Sequence, residues 1–281
     1  MRAYKGLGVV LNRSRLGITK RFNRFFYDHV YYSPWLTKNL KFFNLGLVPI
    51  DPEIAAADFI GAEKPQAQVY FEAIKAYKRH APSAHPEKVL EVSVGLGGGL
   101  VLLAQQLPKA RLYGLDYSQT SAKRTRQQLK TAQLVVADAH LTPFTDNSFA
   151  LVVNVESLHA FKPEVFFKEI KRLLRDDGLF VVVDFRKIPV VELHRYLRQE
   201  AEAAQLQVVE FVDLTQRALA ASLQDSARRQ LLSRRVPPPF KKWVNEMTAA
   251  EGSELRKQYE TGEKTYFLCV IKPVISAPCA D

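Results

Sequence analysis

The stretch KVLEVSVGLGGGL, residues 88–100, decides the fold. An apolar run carrying one carboxylate, Glu91, breaks into Gly95, Gly97, Gly98 and Gly99. The run predicts a buried strand, the glycines a tight turn, and GGLVLLAQQLP after them a helix. Such a turn serves either as a plain connection or as a cradle for a nucleotide-like ligand.

The segments downstream repeat the alternation. RLYGLDYS, AQLVVADA, FALVVNVES and LFVVVDFR read as strands; QTSAKRTRQQLK and PEVFFKEIKRLLRDDG read as helices. Strands this apolar, separated by helices, imply a parallel sheet covered on both faces. QVVEFVDL and KTYFLCVIKP add a sixth and a seventh strand, the last antiparallel. Between them a basic, mostly helical stretch from about 215 to 260 is too long for a loop and reads as a lid or substrate element. The expected fold class is α/β: a Rossmann-like, seven-stranded, mainly parallel sheet with a helical N-terminal cap and a helical insert before the last strand. The expected division is a cap over 1–85 and a catalytic domain over 86–281.

In an open α/β sheet, ligands bind outside the carboxyl ends of the strands. Those ends carry Glu91 and the glycine turn, Asp116 with Tyr117, Asp138 with Ala139, and Asn154 with Glu156 and His159. A dinucleotide site is one reading, but the third fingerprint glycine is Leu100, and a carboxylate at 91 would repel a pyrophosphate. Glu91 suits a ligand that is cationic there, and S-adenosylmethionine has an amino group, a sulfonium, a ribose and an adenine but no phosphate. Glu91 would anchor the methionine end, with Gly95 and Gly97 giving the backbone close approach. Asp116 would accept from the ribose hydroxyls and Tyr117 would pack on the adenine. Asp138 and the Ala139 N–H would meet the adenine edge, and Asn154 would line the same site.

LEVSVGLGGG, LYGLDYS, VVADAHLTPFTDNSFALVVNVESLHAF and FFKEIKRLLRDDGLFVVVD resemble, in order, the motifs of class I S-adenosylmethionine-dependent methyltransferases. Ser93 departs from the usual first glycine. The triple glycine and NVESLHAF are similar to methyltransferases acting on lipids and polyketides, notably the phthiotriolone and phenolphthiotriolone type. The resemblance implies methyl transfer to a lipophilic small molecule. O-methylation leads, with C- or N-methylation and a non-catalytic, membrane-associated cofactor binder as alternatives. His159 is the candidate base for a hydroxyl acceptor, and Glu156 the candidate to orient it or the acceptor; a structural role for each competes. His140 is expected to shape the loop after Asp138. No His, Cys or Asp cluster has metal-ligand spacing, so a metal-free enzyme is expected.

The net charge of +11 points to an anionic partner. Arg2, Lys5, Arg13, Arg15, Lys20, Arg21 and Arg24 precede the first acid, Asp28. Ile18, Phe22 and Phe25 share one helical face, with Lys20, Arg21 and Arg24 on the other. Peripheral membrane contact, an organelle-targeting segment and an ordinary packed helix all fit residues 1–27. Nucleic acid is disfavoured: NVES follows strand four, and no RNA-binding module is legible. No apolar run reaches the length of a spanning helix. Cys269 and Cys279 offer no disulfide framework, which fits a reduced, cytoplasmic setting.

Overall fold

The computed structural model describes residues 28, 32, 37–81, 85–235 and 249–275. The basic face predicted over 18–25, most of RFFYDHVYYSPWL and the PPP of 237–239 lie outside the described residues.

Seven strands run in the order β3-β2-β1-β4-β5-β7-β6. They are β1 Lys88–Val92, β2 Arg111–Asp116, β3 Gln133–Val136, β4 Phe149–Val155, β5 Leu174–Arg186, β6 Leu206–Asp213 and β7 Thr265–Pro273. β1 to β5 pair in parallel; β7 inserts antiparallel between β5 and β6. The helices are α1 Pro52–Ala56, α2 Lys64–His80, α3 Gly98–Gln106, α4 Gln119–Gln128, α5 Pro163–Leu173, α6 Val190–Ala203, α7 Thr215–Gln224, α8 Ser226–Arg235 and α9 Glu254–Glu260. Among the described residues no helix is long and apolar enough to cross a membrane.

Alternation along the strands builds two cores, since successive side chains point to opposite faces. Leu179, Val181 and Val183 of β5 join Tyr266, Leu268 and Val270 of β7 in one core, under α2, α3 and α7. Phe180, Val182, Phe267, Cys269 and Ile271 fill the other, under α5 and α6. Cys269 is buried and free, and burial pushes its thiol up.

Three boundaries differ from the sequence-based expectation. RDDG does not extend α5: the helix stops at Leu173, and Leu174 already pairs with Phe149 before a register shift resumes at Leu151–Leu179. An exposed bulge of this kind carries no hydrophobic period to read. A further helix, α6, occupies VVELHRYLRQEAEA, where no element was assigned. Residues 37–51 are mostly irregular rather than helical, and α2 shares its core with the sheet instead of standing apart from it.

That irregular segment straps the carboxyl edge. Arg124 of α4 donates to the Thr37 and Leu40 carbonyls at 2.9 and 2.5 Å. Gly98 N–H donates to the Lys41 carbonyl at 3.0 Å. The insert clamps the strap from outside: Arg217 of α7 donates to the Val48 carbonyl at 2.8 Å, and Arg229 of α8 to the Leu45 carbonyl at 2.5 Å.

Candidate active site

β1 and β4 are neighbours, and their carboxyl ends open onto the glycine turn. Glu91 and Asn154 lie one residue inside their strands, both fully buried. Tyr70 of α2 donates its hydroxyl to Glu91 Oε1 at 2.8 Å. Among the described residues Glu91 Oε2 has no partner, and it is sealed from solvent. Burial lifts this carboxyl to about 8, against the lowering by the Tyr70 hydrogen bond. Asn154 donates its amide to the Val92 carbonyl at 3.1 Å, while its Oδ1 is a second sealed, unpartnered acceptor. Buried acceptors without donors are costly and point to a missing donor-bearing ligand.

The glycines divide their tasks. Gly97 holds φ of 87°, and a Cβ there would meet Thr125 Oγ1 of α4 at 2.8 Å. At Gly99 a Cβ would lie 2.1 Å from the Tyr70 ring and 2.4 Å from Glu91 Oε1. These two positions therefore serve close packing of α2, α3 and α4. Gly95 is the open one: a Cβ there would meet Tyr32 and Ser93 atoms only at ordinary contact distance. Ser93, in the place of the usual glycine, takes φ of 65°, an unfavourable conformation for a side chain.

Asp116 does end β2. Its oxygens accept the Gly95 and Ser118 N–H groups, each at 2.9 Å, which ties strand two to the glycine turn. Burial raises this carboxyl and those bonds oppose the rise. Asp28 caps the next helix start, accepting from Ser118 Oγ and, at 3.2 Å, from Thr120 N–H. Tyr117 is half-buried beside them. β3 stops at Val136, so Asp138 lies in the loop beyond the strand rather than at its end. There it accepts the His140 backbone N–H at 3.0 Å and pairs with His140 Nδ1 at 2.7 Å. Because His140 Nε2 accepts the Lys162 N–H at 3.0 Å, the ring proton sits on Nδ1. His140 thus shapes this loop by bracing Asp138; Ala139 between them is buried.

After β4 the expected pairing changes partners. Glu156, at φ of 48°, turns away from His159. Its Oε1 accepts the Leu45 N–H and the Tyr266 hydroxyl, both at 2.7 Å. Burial lifts it to about 7, with both bonds opposing. The residue that orients His159 is Asp184, two residues before the end of β5. Asp184 is fully buried and accepts the His159 N–H at 2.8 Å, His159 Nδ1–H at 2.8 Å and the Phe185 N–H at 2.7 Å. A carboxylate at Nδ1 fixes the tautomer and leaves Nε2 with its lone pair free. The imidazole stacks on Phe185, ring centres 4.2 Å apart, and its side chain is 35% exposed.

Residues 90–182 match the family described as Methyltransferase domain. The phthiotriol/phenolphthiotriol dimycocerosates methyltransferase of Mycobacterium tuberculosis is 32% identical over 189 residues, 64% of this chain and 67% of that protein. The fatty-acid O-methyltransferase of Mycolicibacterium smegmatis is 30% identical over 211 residues, 71% and 74% of the two chains. This chain belongs to the class I S-adenosylmethionine-dependent methyltransferases. The fold agrees: a solved geranyl diphosphate methyltransferase superposes with a TM-score of 0.67, covering 91% of this chain and 99% of that one at 16% identity.

The residues of this methyltransferase suit its cofactor. The sealed acceptors on Glu91 and Asn154 are complementary to an ammonium group, and the paired carboxylate of Asp116 retains lone pairs for hydroxyl donors. Two residues that meet this cluster went unread in the sequence. Asp184 was legible by the rule applied to the other strands, being a carboxylate that closes the apolar run LFVVV. Tyr70 was not: it sits in an ordinary amphipathic helix, and only the packing of α2 on α3 brings it to Glu91.

Proposed function

We propose that this protein methylates an oxygen atom of a lipophilic acceptor, with His159 as general base and Asp184 as its positioning residue. When bound, S-adenosylmethionine supplies a methyl group activated on a sulfonium. Glu91 and Asn154 accept from its amino group, and the backbone at Gly95 and Gly97 borders its methionine portion. Asp116 holds the ribose hydroxyls, Tyr117 covers the adenine, and Asp138 with the Ala139 N–H reads its edge. His159 Nε2 takes the proton of the acceptor hydroxyl as the new O–C bond forms. Asp184 stabilises the resulting imidazolium and keeps the ring in the productive tautomer. Glu156 has a different duty: it fastens the strap and β7 beneath the acceptor side.

The observation that carries this reading is the Asp184–His159 pair, buried acid behind half-exposed imidazole, one strand from the glycine turn. The acceptor is a lipid or similar apolar small molecule, as the names of the phthiotriol and fatty-acid relatives support. The helices at 215–235 and 254–260 act as its lid, and residues 1–27 bring the enzyme to the anionic membrane that holds it.

His159→Ala and Asp184→Asn are each expected to lower turnover on a hydroxyl acceptor by about 10²- to 10⁴-fold. Affinity for S-adenosylhomocysteine should be unchanged, because neither residue belongs to the cofactor set. A panel of long-chain alcohols and alkylphenols, assayed by methyl incorporation, provides the readout. Near-normal turnover by both folded variants removes the base from the mechanism.

A further inference from the structure

Lys264 lies in the turn between α9 and β7 and is 9% exposed. Its ammonium sits 3.9 Å over the Phe185 ring centre and 5.4 Å from that of Tyr259. Among the described residues it has no hydrogen-bond acceptor and no ion pair; its contacts are the two rings. An ammonium buried against aromatic faces gains some cation–π attraction, but less than the water it gives up. The acids nearest to it are committed elsewhere: Asp184 to His159 and Phe185, Glu156 to Leu45 and Tyr266. Among the described residues the Tyr259 hydroxyl is sealed without a partner, whereas the ammonium is not among the sealed atoms.

The ring under Lys264 is the one on which His159 stacks, with centres 4.2 Å apart. Ammonium and imidazole centre are therefore no more than about 8 Å apart. We propose that Lys264 is the subsite for a negatively charged oxygen on the acceptor. The preferred acceptor is then an oxygen acid with a long apolar body, a carboxylate or a phenol ionised in the site, rather than an aliphatic alcohol. This rests on the oxygen-transfer reading above and narrows it. With a phenol, Lys264 holds the oxyanion and the proton is released to solvent, because the Phe185 ring lies between the ammonium and the imidazole. With a carboxylate there is no proton to remove. In both cases the acceptor oxygen supplies the electron pair of the new O–C bond, and the breaking C–S pair stays on sulfur.

Electrostatics agree with the geometry. Among the described residues, the charges of Asp184 on β5, Glu156 after β4 and Lys187 beyond β5 act on the ammonium, and the Tyr259 ring of α9 lies 5.4 Å from it. Burial pulls the ammonium down to about 8, against the attraction of Asp184 and Glu156. It is charged at pH 7, and an incoming oxyanion supplies the acceptor it lacks.

The test is binding to the full-length protein saturated with S-adenosylhomocysteine, at pH 7, with decanoate, 4-octylphenol and decanol as probes. Decanoate, or octylphenol bound with phenolate absorbance, should bind at least about 10-fold more tightly than decanol, the scale of one charge-assisted hydrogen bond. Which of the two shows the preference tells carboxylate from phenol. Lys264→Met should abolish the preference while leaving S-adenosylhomocysteine affinity unchanged, and Lys264→Arg should retain it. Lys264→Gln replaces the Met variant if that fails to fold. Equal affinity for all three probes, or a preference that survives loss of the charge, overturns the proposal. Because binding is read rather than turnover, a failure to methylate oxygen would register separately, in the alcohol and phenol assay.

Discussion

Glu91 is a carboxyl group whose burial lifts it far above the ordinary carboxylate range. Burial sets its value near 8, so below that pH the free protein carries it protonated. A ligand amino group favours the carboxylate, so cofactor binding should release a proton. S-adenosylhomocysteine affinity should then rise from pH 6 toward 8 and level off above it. Calorimetry in buffers of different ionisation enthalpy measures the released proton directly. Glu91→Gln should flatten the pH dependence and weaken binding by about 1.5–3 kcal/mol, the range for a hydrogen bond to a charged group. A steep pH dependence that persists in the variant would assign the proton to another group. Asp184 and His159 form the contrasting pair: there the carboxylate already has its donors, and the imidazole keeps one nitrogen for chemistry.

At the scale of elements, the glycine turn is a packing device as much as a cradle. α2 can lie against α3 only because Gly99 has no side chain, and that contact delivers the Tyr70 hydroxyl to Glu91. Gly99→Ala should displace the Tyr70 ring and cost about 1–3 kcal/mol of stability, as overpacking does. It should weaken cofactor binding as well, since Glu91 loses the donor that holds it. Denaturant melts with calorimetry on the same samples check both effects. Unchanged cofactor affinity in the destabilised variant would mean that Tyr70 supports the fold alone. The half of the turn readable as a motif was its glycine content; the helix and strap atoms that crowd Gly97, Gly98 and Gly99 belong to α4, the strap and α2, between 28 and 57 residues away.

The whole molecule stores several displaced protonation states. Glu91 and Glu156, held at about 8 and 7, bind protons in the folded protein that the unfolded chain releases near the ordinary 4.5. Between 4.5 and 8 the folded state holds more protons, so its stability falls as pH rises. Lys264, lowered to about 8, works in the other sense above that pH, where stability recovers toward its unfolded value near 10.5. Glu169 and Glu210, both held low chiefly through hydrogen bonds that outweigh burial, lose their contribution on the acid side. The melting temperature of the cofactor-free protein should decline from about pH 5.5 to pH 8. Glu91→Gln should shrink the decline, and saturating cofactor should do the same. A melting temperature flat across that window would mean that solvent reaches these carboxyls in the free protein.

The sequence by itself determined the sheet, its seven strands and the antiparallel last one, because buried strands announce themselves by short apolar runs and helices by their period. It also offered Glu91, Asp116 and Asp138 as carboxylates at or just beyond strand ends, the reading on which the proposed cofactor contacts rest. Tertiary structure decided the partners. Glu156 and Asp184 are both carboxylic acids within two residues of a strand end, and no local pattern says which one meets His159. The choice was made by the left-handed backbone at Glu156 and by β7, whose Tyr266 takes one acid while β5 presents the other. Lys264 reads in the sequence as one more surface charge before a strand. Its burial over Phe185 exists only because α9 folds back onto the sheet edge, a long-range contact that no window of neighbouring residues records.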